Sequence, residues 1–254
     1  MDGLWLAALS GAVSGGALLV GAAVAWFLDI PQRVVAGIMA LGAGVLISTL
    51  AFELVEEAAA DGGLVPTVIG FLAGAVLYVV ADWIVSRPPK PKPPQLPANI
   101  AARRKVARLA GGSGVAIAIG GLIDGIPESI VMGLSVLQGG VSIPIVAAIA
   151  ISNIPEGLAS TAALKRGGSG GRAIAMLWLS IALVTVVASV VGFVAFRAAP
   201  VHVVAFITTV AAGALLAMLC NTMIPEAFEQ QHGMTGLWAT VGFLGAFVLH
   251  ELAG

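Results

Sequence analysis

Eight stretches of this chain, at about 4–28, 34–57, 64–85, 112–137, 142–164, 172–197, 202–226 and 235–253, stay apolar for the roughly 20 residues a helix needs to cross a bilayer. Within hydrocarbon every backbone N–H and C=O must be satisfied inside the protein, which leaves such stretches little choice but helix. Charged residues make up 10% of the chain against about 25% in a soluble domain, and no Lys or Arg lies in the interior of any stretch. The expected fold is therefore all-α: a polytopic membrane protein with eight transmembrane helices, forming a single transmembrane domain over residues 1–254. Turn chemistry marks the breaks, at Asp29-Ile-Pro31, Asp61-Gly-Gly63, Gln138-Gly-Gly140, the glycine-rich run 167–171, Ala199-Pro200 and His232-Gly233.

The distribution of Lys and Arg gives an orientation. Arg33 follows the first stretch, seven basic residues between Arg87 and Arg108 follow the third, and Lys165, Arg166 and Arg172 flank the break after the fifth. Of the 12 basic residues only Arg197 falls on the other side, so the shared side is expected to be cytoplasmic and both termini external. The longest connection, 87–109, includes Arg87-Pro-Pro-Lys-Pro-Lys-Pro-Pro94. Such a composition favours extended polyproline II and cannot build a core, so it reads as a basic cytoplasmic tether. The N-terminus lacks the basic start of a signal peptide and its apolar run is too long for one, so the first helix is expected to be retained.

Two related pentapeptides stand near the middle of the fourth and fifth stretches: Asp124-Gly-Ile-Pro-Glu128 and Ser152-Asn-Ile-Pro-Glu156. A carboxylate at that depth costs of order 2.5 kcal/mol or more, and proline frees a backbone carbonyl that needs a partner or a cavity. The i, i+4 spacing puts Asp124 with Glu128, and Ser152 with Glu156, on one face of each helix at similar depth. If the faces meet, three carboxylates, the Asn153 amide and a hydroxyl converge. Carboxylates so placed cannot all stay ionised without a cation or bound protons, and a divalent metal on oxygen ligands resolves the conflict.

The other acids lie nearer helix ends. A third motif copy, Thr222-Met-Ile-Pro-Glu226, closes the seventh stretch, and Phe52-Glu53-Leu-Val-Glu56-Glu57 closes the second. Glu53, Glu56 and Glu226 read either as vestibule groups that attract cations or as ordinary interfacial carboxylates. The histidines at 202, 232 and 250 fall at helix ends or loops and read as interfacial; the single cysteine, Cys220, reads as a small packing residue. Gly11/Gly15, Gly70/Gly74 and Gly121/Gly125 have GxxxG spacing, which a chain with 33 glycines also produces by chance.

The paired motifs resemble those of the ZIP (Zrt/Irt-like) divalent metal transporters, especially bacterial members, which carry His-Asn-x-Pro-Glu-Gly on the fourth helix and a His-(Asn/Asp/Glu)-x-Pro-Glu-Gly motif on the fifth. Here the stretches are Asp124-Gly-Ile-Pro-Glu-Ser129 and Ser152-Asn-Ile-Pro-Glu-Gly157. Eight helices, external termini and a long connection between helices 3 and 4 extend the resemblance over the whole chain. It implies a ZIP-like bundle, metal ligands at Glu128 and Glu156, a second-site ligand at Asn153, and Asp124 and Ser152 where the family usually has histidine. It also implies a homodimer in a bacterial plasma membrane. Gly125 replaces the family's fourth-helix asparagine, the sixth stretch contains no acid, and the cytoplasmic connection contains no histidine. Imidazole suits zinc, copper, iron and nickel, whereas carboxylate and carbonyl oxygens suit manganese, magnesium and calcium. An all-oxygen set therefore shifts the expected substrate from zinc toward harder cations such as manganese or iron.

The function expected is transport of a divalent metal cation (Zn, Mn or Fe) through a midplane site on helices 4 and 5, by an elevator-like carrier in which these helices move as part of a bundle against a scaffold. The alternative is a ZIP-fold protein that has lost metal transport and serves as a proton-coupled solute carrier or a membrane scaffold. No nucleophile–base set and no phosphate-binding loop is present, so neither an enzyme nor an ATP-driven pump is expected, and no nucleic-acid partner is.

Overall fold

A computed structural model describes residues 2–85, 114–138 and 140–253. The basic, proline-rich connection at 87–109 lies outside the described residues. Among those described there is no strand. The helices are α1 (Asp2–Phe27), α2 (Gln32–Thr49), α3 (Glu57–Gly62), α4 (Leu64–Val85), α5 (Gly114–Ser135), α6 (Ile143–Arg166), α7 (Gly171–Phe196), α8 (Val201–Met218), α9 (Ile224–Gln231) and α10 (Met234–Ala253). Two π-helical segments, Leu50–Glu56 and Leu219–Met223, join α2 to α3 and α8 to α9 without a break. Seven of the described helices are long and apolar enough to cross a membrane: α1, α4, α6, α7, α10 and the two composite rods 32–62 and 201–231. Large apolar side chains such as Leu72, Val76, Leu183 and Leu252 cover the outside of the molecule, as they do where lipid is the solvent.

Contacts sort the helices into two bundles. In one, α6 and α7 pack on α1, and α5 packs on α7; in the other, α2 packs on α10, and α4 on α8. The bundles meet where α2 touches α6 and where α5 touches α8. Side-chain hydrogen bonds stitch the first bundle from within: Trp178 Nε1 donates to Thr161 Oγ1 (2.7 Å), Thr185 Oγ1 to the Gly11 carbonyl (3.3 Å) and Ser189 Oγ to the Ala7 carbonyl (2.8 Å).

The direction of each helix follows from which residues meet. Gly11 faces Val186 and Ser189 while Gly15 faces Ala182, so α1 and α7 run antiparallel. Ser14 meets Asn153 and Leu18 meets Gly157, so α1 and α6 run parallel. Gly121 faces Trp178 and Ile181 while Gly133 faces Ser189, so α5 and α7 are parallel and α5 opposes α6. All three glycine pairs noted in the sequence sit at helix contacts, with Gly70 against Phe206 and Gly74 against Val210.

The fold also contains an internal repeat. Pro31 and Pro200 each precede an 18-residue helix, α2 or α8, that passes into a π segment; each composite rod is 31 residues long. Aligned on these prolines, Val34-Val35-Ala36 matches Val203-Val204-Ala205, Ala43-Gly44 matches Ala212-Gly213, and Leu46, Leu50, Glu57 and Ala58 match Leu215, Leu219, Glu226 and Ala227. The matched glycines do the same work. A Cβ on Gly44 would lie 1.9 Å from the Ala239 carbonyl oxygen, and one on Gly213 would lie 1.9 Å from that of Phe71. Reciprocally, Gly242 meets the Leu41 carbonyl and Gly74 that of Val210. The units α1–α4 and α7–α10 are thus two copies of one arrangement, pointing in opposite directions.

Candidate functional site

Proline does not interrupt α5 or α6: Pro127 and Pro155 both lie inside continuous helix. Glu128 is 1% exposed, Ser152 1% and Asn153 1%, whereas Glu156 is half-buried. Asp124 sits on α5 one turn before Glu128, but its side chain is outside the described residues.

The two motifs come together in steps rather than at one level. Oε1 of Glu156 lies 3.7 Å from the Cβ position of Gly121, on the face of α5 that continues through Gly125 to Glu128. Counted along the helices from the connection that joins them, the Cα of Glu128 is about 10 Å in, Ser152 about 14 Å, Asp124 about 16 Å and Glu156 about 20 Å. Glu156 thus lies opposite Gly121, two turns of α5 away from Glu128, and the two motifs overlap in depth. The α-carbon to β-carbon bond of a helical residue tilts toward the N-terminus, so on antiparallel helices Glu128 and Glu156 lean toward each other.

The polar residues of α6 divide their work. Nδ2 of Asn153 donates to the Ser14 hydroxyl (2.8 Å) and to the Ser14 carbonyl (3.3 Å), locking α6 to α1, while its buried Oδ1 has no hydrogen-bond partner among the described residues. Ser152 Oγ donates to the Ile149 carbonyl one turn back (2.9 Å). On α5, Ser129 Oγ donates in the same way to Gly125 O (2.6 Å). Pro155 frees the Ile151 carbonyl from the helix ladder, and that oxygen faces α2 at Gly42. These bonds predict different costs. Asn153→Ala should lower the thermal stability of the detergent-solubilised protein by about 2 kcal/mol, because it strands a buried Ser14 group. Ser152→Ala, which loses only a bond to its own helix, should cost less than about 1 kcal/mol.

A second polar region lies at the end of the bundles near the connection between α5 and α6. Glu53, Glu56, Glu57, Ser142 and His250 line a cleft of about 560 Å³ there. Glu53 accepts from His250 Nδ1 (2.6 Å) with one carboxylate oxygen and from Ser142 Oγ (3.1 Å) with the other. The Phe52 ring stacks on His250 and packs against Phe243 and Phe247, which fixes the π segment to α10. His250 was expected at an interface; its pairing with Glu53 joins residues 197 apart in the chain and has no local sequence signal. Glu226, the third vestibule candidate, is exposed on α9, away from this cleft. Cys220, expected to be a packing residue, is exposed on the second π segment. Among the described residues no three His, Cys, Asp or Glu side chains gather so as to hold a metal.

No model of a known protein family matches the chain, and no curated protein does.

Proposed function

We propose that this chain is a ZIP-like membrane carrier for a divalent cation, with Glu128, Glu156, Asp124, Asn153 and Ser152 as an all-oxygen path for the ion and manganese or iron favoured over zinc. The observation that carries the reading is the burial of Glu128 on the same face of α5 that receives the carboxylate of Glu156 from α6. A carboxylate at that depth is costly and marks a functional position, and no Lys or Arg lies in the interior of any apolar stretch. The buried Oδ1 of Asn153 is a further oxygen whose hydrogen-bonding capacity the described residues leave unused. Ser152 spends its proton on Ile149, which keeps the hydroxyl oxygen available as a donor of electron pairs.

Eight crossings are part of the proposal. The helix directions support α5 as the crossing additional to the seven apolar spans: α1 and α6 run parallel only if an odd number of crossings lies between them, and α2 and α4 supply two. With the basic residues inside, both termini lie outside. The bundle α1, α5, α6 and α7 would then move with the ion against the scaffold α2–α4 and α8–α10, and inverted halves of this kind suit alternating access. No enzymatic activity belongs to this reading. The homodimer rests on the family resemblance alone.

The reading that metal transport has been lost, leaving a proton-coupled carrier or a scaffold, draws on a specific observation: no compact metal-binding group forms among the described residues. Flux into proteoliposomes separates the two. Saturable uptake of Mn, Fe, Co, Zn or Cd, with Mn or Fe ahead of Zn, is expected for the carrier. Proton-dependent behaviour with no flux of any metal would overturn it.

A further inference from the structure

The hydrogen bond between Ser142 and Glu53 joins the two bundles. Asn153–Ser14, Trp178–Thr161 and Ser189–Ala7 lie within one bundle, and His250–Glu53 lies within the other. Ser142–Glu53 crosses between them. Its ends are also unusually well anchored. On one side Ser142 is the N-cap of α6, where its hydroxyl oxygen accepts from the Ile145 N–H (3.4 Å), so the bond grips the end of the helix that carries Ser152, Asn153 and Glu156. On the other side, Glu53 sits in the π segment, held by the His250 N–H and by the packing of Phe52 on His250, Phe243 and Phe247. One carboxylate thus joins α10, the π segment and α6, each oxygen with its own donor.

We propose that Glu53 is a latch that holds the two bundles in the arrangement seen here, with His250 as the residue that positions it and Ser142 as the catch. Sliding of α6 past α2 must break the Ser142–Glu53 bond, while the Glu53–His250 bond stays with the scaffold. A carboxylate that keeps its imidazole partner is not stranded when the serine leaves, so the latch opens and closes without exposing an uncompensated charge. The Ser142 hydroxyl also remains tied to its own helix end, so the catch travels as part of α6. The device rests on the carrier reading only for the purpose of the motion; the motion itself can be measured without any metal.

The test uses the full chain with Cys220→Ala, which removes the single cysteine, and nitroxide labels on Trp5→Cys in α1 and Leu252→Cys in α10. Both positions lie on the outer surface of the molecule, one in each bundle. Electron–electron resonance in metal-free nanodiscs reads the distance between bundles. The parent is expected to give one dominant distance. Ser142→Ala and Glu53→Ala should each raise a second population, changing the ratio roughly tenfold or more, as the loss of a hydrogen bond to a charged group does. Ser142→Thr keeps the hydroxyl and should keep the parent distribution. Unchanged distances in both alanine variants, with the protein monodisperse and helical, overturn the latch, as does a shift by Ser142→Thr equal to that of Ser142→Ala. Absence of metal flux in the parent would defeat the carrier reading and leave this result to stand on its own.

Discussion

A Glu128→Gln/Glu156→Gln double variant is expected to lose saturable metal flux by about 100-fold or more while remaining folded. Changing groups that merely orient metal ligands costs 10- to 100-fold, so removing the ligands themselves should cost at least the upper end of that range. Glutamine keeps the shape of the side chain, so the packing of Glu128 and the approach of Glu156 to Gly121 are preserved. The check is initial uptake rate per folded protein in oriented proteoliposomes, with the thermal midpoint measured alongside. Flux within about threefold of the parent would show that these carboxylates are not the path. If the two carboxylates serve one path, the loss in the double variant should be smaller than the product of the two single losses, because both act on the same ion.

The second large effect is structural. Gly157→Val should destabilise the protein by about 3 kcal/mol or more and strongly reduce the yield of monodisperse material. A Cβ at position 157 would lie 2.3 Å from the Leu18 carbonyl oxygen, and one at Gly21 would lie 2.0 Å from that of Ile154. At both positions the obstacle is backbone, which cannot swing away as a side chain can. Relief would need α1 and α6 to separate, and with them the Asn153–Ser14 bonds that tie the motif helix to its neighbour. Gly16→Ala, on α1, is the control, since nothing lies within 4 Å of its Cβ position. Thermal unfolding in detergent should show it unchanged or slightly stabilised, because alanine is the better helix former.

The positions of the helices were legible in the chain because hydrocarbon thickness sets their length and Gly, Pro and Asp mark their ends. The burial of Glu128, Ser152 and Asn153 was legible too, since polar groups in mid-span have to face protein. Their relative height was not: it depends on how antiparallel α5 and α6 are offset, which no residue spacing within either motif encodes. The two π segments have no residue signature, and the Glu53–His250 pair arises only from the packing of α2 on α10. The repeat was written openly in Val34-Val35-Ala36 and Val203-Val204-Ala205, but a search for copies of the Pro-Glu motif passes over it. Asn153 carried a double meaning that sequence could not divide, its amide nitrogen serving α1 and its oxygen left over.

The likeness of the two halves bears on the balance between conformations. Two copies of one unit, set head to tail, can exchange their roles, and the arrangement reached by the exchange contains the same kinds of contact as the first. Such a molecule starts close to thermodynamic parity between opposite openings, so a small difference between the copies sets the resting population. The copies do differ at the latch. In the alignment that pairs Gly44 with Gly213 and Gly242 with Gly74, Glu53 falls opposite Thr222 and His250 opposite Asp82. The acid and base have been replaced by a hydroxyl and an acid, and Thr222 turns its hydroxyl back to the Met218 carbonyl (2.7 Å). On the carrier reading, broken symmetry at these two positions would set which of the two openings this chain prefers.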